Sequence, residues 1–235
     1  MKVSLVIPAY NESKIIPDTI RAVSAKLAEL TEEYEVLIVD DGSTDGMGGL
    51  VENCGDRHVR LERYTPNHGK GRAVRTGMLA AKGDVILCTD ADLAYGVDVF
   101  AVILERFVQG DADLVIGSRR IGPDGYKSYP PIRLLTSKCF GFLVKLASGL
   151  TYDTQCGIKG YRRQAARDIY SKCTTDGFSF DFEVLMRADK LGLKVDQIPV
   201  SVVNFRESKV SIVKDSYRMF RDLFRIRRTV RSGDV

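Results

Sequence analysis

Along the first half of the chain, short apolar runs alternate with stretches of helical period. Residues 2–9 are rich in Val, Leu and Ile and predict a buried strand ending near Pro8. Residues 13–30 place Ile16, Ile20, Val23 and Leu27 on one face and predict an amphipathic helix. The run "EVLIV" at 35–39 predicts a second strand, stopped by Asp40-Asp41-Gly42-Ser43, with a helix to about residue 53. Strands follow at 59–63, 84–88 and 113–117, and helices at 69–81 and 97–109. Apolar strands alternating with helices imply a mostly parallel sheet, Rossmann-like, with helices on both faces.

The second half is less regular. Helices are expected at 137–149, 178–191 and 211–230, and a strand at 195–203 that Pro199 confines to a sheet edge. With no internal repeat or low-complexity linker, residues 1–211 read as one α/β domain and 212–235 as a basic amphipathic helix at its C-terminal end.

The ends of the expected strands carry polar clusters: "YNE", "DDGSTD", "TDAD" and "GSRR". Ligands of open parallel sheets sit at such ends. The first strand is not followed by GxGxxG, and GxxxxGK[ST] occurs nowhere, which argues against dinucleotide and P-loop chemistry. Asp40 and Asp41 offer acceptors to a ribose or base edge, or alternatively cap the next helix. "NHGKG" at 67–71 puts Lys70 between two glycines at a helix start, where a phosphate could approach or the glycines could simply relieve the backbone. Asp90 and Asp92, one residue apart on a chain expected to be extended, suit Mg2+ or Mn2+ shared with a substrate phosphate.

The 235 residues are 44% hydrophobic and 28% charged, which predicts a packed domain. Five cysteines form no CxxC pair and read as reduced thiols of a cytosolic protein. The start "MKVSLVIPAYNE" does not read as a leader, and no run of 18 apolar residues predicts a membrane span.

"VSLVIPAYNE", "VLIVDDGSTD", "NHGKGRAVRTGM" and "TDADL", in this order and spacing, resemble the inverting family 2 glycosyltransferases. The resemblance implies the GT-A fold, a nucleotide-sugar donor, a divalent cation (Mg2+ or Mn2+) at the D-x-D motif and a single displacement at the anomeric carbon. By match, the donor side comprises Pro8, Tyr10, Glu12, Asp40, Asp41, Lys70, Asp90 and Ala91, with Asp92 as metal ligand. The second half, with "GSRR", "PPIRLLTSKCFG", "YDTQCGIKGYRR" and "FRESKVSI", resembles polyprenyl-phosphate hexosyltransferases, relatives of dolichyl-phosphate glucose and mannose synthases.

A lipid monophosphate is already anionic and attacks without a general base; it needs cations to position it. Arg119, Arg133, Ser137 and Lys209 are the acceptor-phosphate candidates, and Asp90, Asp92, Arg119 and Arg133 the catalytic set. Asp153, Gln155, Lys159, Asp181 and Glu183 complete the expected pocket. If the acceptor were instead a sugar hydroxyl, Asp181 or Glu183 could serve as base. Ala94-Tyr95-Gly96, where mannosyl relatives often carry Gln, tilts the donor toward UDP-glucose, with GDP-mannose as the alternative.

From Lys209 to Arg231 eight Lys or Arg face only Asp215 and Asp222. Lys214, Arg218, Arg221, Arg225 and Arg228 form one helical stripe, and Val213, Tyr217, Phe220 and Phe224 an apolar one beside it. Such a helix can lie in the plane of a membrane or pack on its own domain with a solvated basic face; the resemblance to enzymes with a lipid acceptor implies peripheral binding on the cytoplasmic, inner face of a membrane, and leaves room for an integral-membrane partner. A nucleic-acid partner is not expected, since no recognised binding module accompanies the basic helix.

Overall fold

The computed structural model describes residues 1–122, 125, 144–145, 148–204 and 212–232, with side chains in the last segment from 221 onward. The strands are β1 (Val3–Ala9), β2 (Tyr34–Asp40), β3 (Val59–Arg63), β4 (Val85–Cys88), β5 (Leu114–Ser118), β6 (Lys159–Arg162) and β7 (Val195–Pro199). The helices are α1 (Ile16–Leu30), α2 (Met47–Glu52), α3 (Lys70–Ala80), α4 (Val99–Gln109), α5 (Arg163–Tyr170), α6 (Phe180–Lys190) and α7 (Ile212–Ser232).

The described strands form one sheet in the order β3-β2-β1-β4-β6-β5-β7. β1 pairs in parallel with β2 and β4, β2 with β3, and β5 with β7, whereas β6 runs antiparallel to both of its neighbours. The period-2 pattern of β1 sorts its side chains between the faces. Val3, Leu5 and Ile7 join Ile16, Val23 and Leu27 of α1, Met47 of α2 and Phe100 and Ile103 of α4. Val6 joins Val74 and Met78 of α3, Ile169 and Tyr170 of α5, Phe182 and Leu185 of α6, and Leu223, Ile226 and Val230 of α7. Helices on both faces make the α/β architecture expected from the alternation.

Several boundaries move for local reasons. α1 begins at Ile16 because Pro17 suits the first helical turn. β7 lies at the sheet edge and ends at Pro199, short of residue 203; residues 201–204 leave the sheet. β6 and α5 had no counterpart in the hydrophobic pattern, because "KGYR" carries two cations and a glycine in four residues.

The N-terminal ends of β1 and β2 are held by a buried carboxylate. Glu35 accepts from Ser4 Oγ (2.6 Å), Lys82 N (2.7 Å) and Arg60 Nε (3.1 Å). Burial alone would push its carboxyl up, but the bonds from Ser4 and the Lys82 N–H and the Arg60 charge outweigh it and leave it below the ordinary value. A depressed folded-state value adds stability above the usual carboxylate range and loses it as pH falls through the folded value. Glu35→Gln is therefore expected to cost about 1–3 kcal/mol at pH 7. In urea unfolding at pH 7, 5 and 3 the gap to wild type should close toward acid; a gap that does not depend on pH would refute the ionic contribution.

Candidate active site

Parallel β1, β2 and β4 deliver their C-terminal ends to one edge of the sheet. Because β6 is reversed, its first residue arrives at the same edge, with Lys159 registered against Cys88. The "DTQCGIK" loop is thereby brought beside "TDADL".

Stitching between loops builds the floor. Asn11, held at φ +53°, donates its N–H to Ser43 Oγ (2.9 Å) and accepts from Thr44 N (2.9 Å). Ser13 N donates to Asp45 Oδ2 (2.8 Å). Asp40 is fully buried: its Oδ1 accepts from Ser43 N (2.8 Å) and its Oδ2 lies 3.2 Å from Arg63 Nε. Asp41 is also buried and accepts from His68 N (2.9 Å), Gly69 N (2.8 Å) and Asn67 Nδ2 (2.8 Å). Both carboxylates thus shape their own loops instead of opening toward a ligand. Pro8 is buried in β1, Glu12 is half-buried and Tyr10 exposed. Ala91 is buried, and its carbonyl accepts from Thr19 Oγ1 (2.6 Å).

The glycines of "NHGKG" answer to packing. The carbonyl of Asp176 accepts from Gly71 N (2.7 Å) and Arg72 N (3.3 Å), so another stretch of backbone caps the start of α3. A Cβ at Gly69 would lie 2.7 Å from that oxygen, and one at Gly71 would lie 2.4 Å from the carbonyl of Thr175. The phosphate approach considered for these glycines is filled by residues 175–176. Arg75 clamps the same segment through Cys173 O (2.7 Å) and Asp176 Oδ1 (2.9 Å).

Lys70 turns inward and places Nζ 2.5 Å from Asp90 Oδ1. Burial works against its charge, but Asp90 and Asp181 prevail and raise its pKa. Asp90 and Asp92 sit on a turn, closed by Leu93 N donating to Asp90 O (3.1 Å), and not on the extended chain expected. Asp92 Oδ1 accepts from Ala94 N (3.1 Å). Its carboxyl is raised by burial and by the charge of Asp90, with Glu12 adding to the repulsion. Cys88, just before the turn, is pushed up to about 12 by burial and by Asp90, so it is no nucleophile at neutral pH.

Lys159, only 3% exposed, donates to Asp181 Oδ1 (2.5 Å) and Cys156 O (2.5 Å). Burial raises the Asp181 carboxyl, opposed by the charges of Lys159 and Lys70. Glu183 is buried and accepts from Thr175 N (2.8 Å), Thr174 N (3.1 Å) and Arg187 Nη2 (2.8 Å). Neither acid is placed as a ready base: Glu183 caps a loop and Asp181 holds Lys159. Arg119 is buried against Asp153 in a two-pronged pair, Nε–Oδ2 2.8 Å and Nη2–Oδ1 2.7 Å. Gln155 is half-buried on the same loop. Arg133, Ser137, Lys138, Arg206, Ser208 and Lys209 lie outside the described residues.

α7 packs on α6 through Leu223, Ile226 and Val230, with Ser179 Oγ donating to Asp222 Oδ2 (3.1 Å) and Lys190 Nζ to Val230 O (2.5 Å). Of the apolar stripe expected here, Phe224 alone has a described side chain, and it is exposed; the buried stripe lies one position away, about 100° around the helix. Among the described residues no helix is long and apolar enough to cross a membrane.

The sequence reading overlooked the Asn11–Ser43 stitch, the 174–176 cap and the contacts of Val203 and Asn204. Only the Asn of "YNE" signalled in advance, as a residue tolerant of positive φ. It also overlooked Gly157, where a Cβ would lie 2.4 Å from Asp90 Oδ2. Gly157→Ala is expected to displace Asp90 from Lys70 and lower kcat/KM for sugar transfer on the order of 100-fold, with the folded structure retained by circular dichroism. Unchanged kcat/KM would mean that the position of Asp90 does not limit the reaction.

Comparison with known proteins gives a consistent relationship. The description Glycosyl transferase family 2 matches residues 4–170. A dolichyl-phosphate beta-glucosyltransferase of Dictyostelium discoideum is 32% identical over 240 residues, covering 95% of this chain and 73% of the relative. One of Drosophila melanogaster is 32% identical over 242 residues, covering 96% and 74%. Among solved structures, glucosyl-3-phosphoglycerate synthase from Mycobacterium tuberculosis, in complex with Mn2+, UDP-glucose and phosphoglyceric acid, aligns with a TM-score of 0.72 at 19% identity, covering 97% of this chain and 79% of that one. Mannosyl-3-phosphoglycerate synthase from Rubrobacter xylanophilus aligns with a TM-score of 0.70 at 22% identity, covering 100% and 76%. These structural likenesses establish the GT-A fold, and with the match over residues 4–170 the chain belongs to glycosyl transferase family 2.

Proposed function

We propose that this chain transfers a hexose, with inversion, from a nucleotide sugar to a polyprenyl monophosphate, with UDP-glucose as the favoured donor. The observation that carries this reading is the asymmetry of the strand-end corner. Asp90 faces the ammonium of Lys70, whereas Asp92 meets a backbone N–H and the repulsion of Asp90. A hard divalent cation with oxygen ligands suits such a carboxylate, and substrate phosphate oxygens commonly complete its shell. Asp92, with Asp90 beside it, would hold Mg2+ or Mn2+, which when bound supplies charge neutralisation for a diphosphate leaving group.

In the proposed reaction a phosphate oxygen of the lipid attacks the anomeric carbon. The bond from that carbon to the nucleoside diphosphate breaks, and the diphosphate leaves with the electron pair. No proton need be removed from the nucleophile, which agrees with Asp181 and Glu183 being engaged in structural contacts. Tyr10, Glu12, Lys70 and Asp90 are the donor-side residues, and Arg133, Ser137 and Lys209 the acceptor-side ones. Arg119 serves by holding Asp153 and its loop. The acceptor class rests on the relatives named dolichyl-phosphate beta-glucosyltransferase, similar over nearly the whole chain.

We further assign residues 1–211 to the transferase domain and 212–235 to a membrane-facing helix on the cytoplasmic side. The outward side of α7 carries exposed Arg221, Phe224, Arg225 and Arg228, a basic face with an aromatic at its centre.

UDP-glucose, GDP-mannose and other nucleotide sugars assayed with undecaprenyl and dolichyl phosphate, with and without Mn2+, test the reaction. Metal-dependent transfer from UDP-glucose to lipid phosphate is expected; transfer to sugar hydroxyls alone would reject the acceptor class. Replacing Arg221, Arg225 and Arg228 together by Gln should weaken sedimentation with phosphatidylserine vesicles on the order of 100-fold. Undiminished binding would reject the membrane face.

A further inference from the structure

Leu93 adopts φ +48°, one of two non-glycine residues with positive φ among those described. Leucine takes this conformation only where its surroundings impose it, and such residues gather at functional sites. Leu93 follows Asp92 directly and closes the turn through Asp90 O, so its backbone angle sets the path of the chain as it leaves Asp92.

The imposing contacts come from the far end of the sequence. Leu93 O accepts from Gly96 N (2.8 Å) and from Asn204 Nδ2 (3.1 Å). Ala94 O accepts from Val203 N (2.8 Å) and Asn204 N (3.3 Å), while Ala94 N donates to Asp92 Oδ1 (3.1 Å). A hydrogen-bonded path therefore runs from Asn204 through Leu93 and Ala94 to the Asp92 carboxylate. On the opposite side the turn is fixed by Thr19 on Ala91 O (2.6 Å). Asn204 is itself exposed, so its side chain contributes a hydrogen bond more than packing.

We propose that Asn204 is a positioning residue for the cation corner: its amide holds Leu93 in the left-handed conformation and thereby aims Asp92 at a divalent cation. The proposal rests on the reading of Asp92 as a cation ligand. Outer partners of metal ligands act in this way, by orienting the group that touches the metal. Because Asn204 leads directly into the segment carrying Arg206, Ser208 and Lys209, the same residue joins the acceptor-side sequence to the donor-side turn.

The test measures Mn2+ binding to the full chain by electron paramagnetic resonance of the free ion, with MnCl2 as the only added ligand. Wild type should bind and Asp92→Asn should not; binding unaffected by Asp92→Asn would overturn the cation reading itself. Asn204→Ala is expected to weaken Mn2+ binding by about tenfold or more while leaving the fold intact. Glycine occupies left-handed angles without steric cost. In a Leu93→Gly background, the added effect of Asn204→Ala should shrink to below about twofold. Leu93→Asn, which tolerates the same angles, is used if loss of the buried leucine loosens the protein. Equal losses in both backgrounds, or wild-type Mn2+ affinity in Asn204→Ala while Asp92→Asn loses binding, would overturn the positioning role while leaving Asp92 as the ligand.

Discussion

A buried ammonium organises this active site. Lys159 stands at the start of the one reversed strand, opposite Cys88, almost without solvent. An ion so placed must be paired and hydrogen-bonded, because desolvation would otherwise outweigh folding gains. Asp181 at the start of α6 and the carbonyl of Cys156 satisfy it. That requirement draws together a strand, the "DTQCG" loop and a helix that are distant in sequence. Gly157, on the same loop, then comes so close to Asp90 that only a hydrogen fits between them. The "TDADL" and "DTQCGIK" stretches meet at this point.

Charge is distributed here with a division of labour. Asp40, Asp41, Asp153 and Glu183 spend their oxygens on backbone N–H groups and arginines, and so build loops. Asp90 and Asp181 alternate with Lys70 and Lys159, which keeps a cluster of ions tolerable at the edge of the core. Among the described residues Asp92 has no such lysine paired to it, and burial and the charge of Asp90 raise its carboxyl. Cys88 is held as a thiol by burial and by the charge of Asp90.

Much of the architecture was legible because burial on both faces of a parallel sheet leaves a strong local trace. "VSLVIPA", "YEVLIVD" and "VILC" read as strands from their own composition, and α1 and α4 from their period. β6 escaped because Lys159 is buried by pairing with Asp181 and the half-buried Arg162 donates to the carbonyls of Ala112, Phe107 and Gly110, which no local pattern records. α7 reads as basic and amphipathic from its own sequence, whereas the face it packs on the domain, with Leu223, Ile226 and Val230, does not. That face is chosen by its packing partner α6.

The sequence by itself determined the strand–helix alternation, the polar strand ends and the presence of "TDAD" at one of them, since each depends on side chains close together in the chain. The tertiary structure alone decided which groups each acid meets. Asp40, Asp41 and Asp92 look alike as letters, but Asp40 lies beside Arg63, Asp41 accepts from three N–H donors, and Asp92 accepts from one backbone N–H and feels the charge of Asp90. It also brought the side-chain amide of Asn204 to the carbonyl of Leu93, a residue at positive φ more than a hundred positions away. Such long-range contacts are made only once the sheet has fixed its strand order, and a one-dimensional pattern carries no distance between residues it does not place side by side.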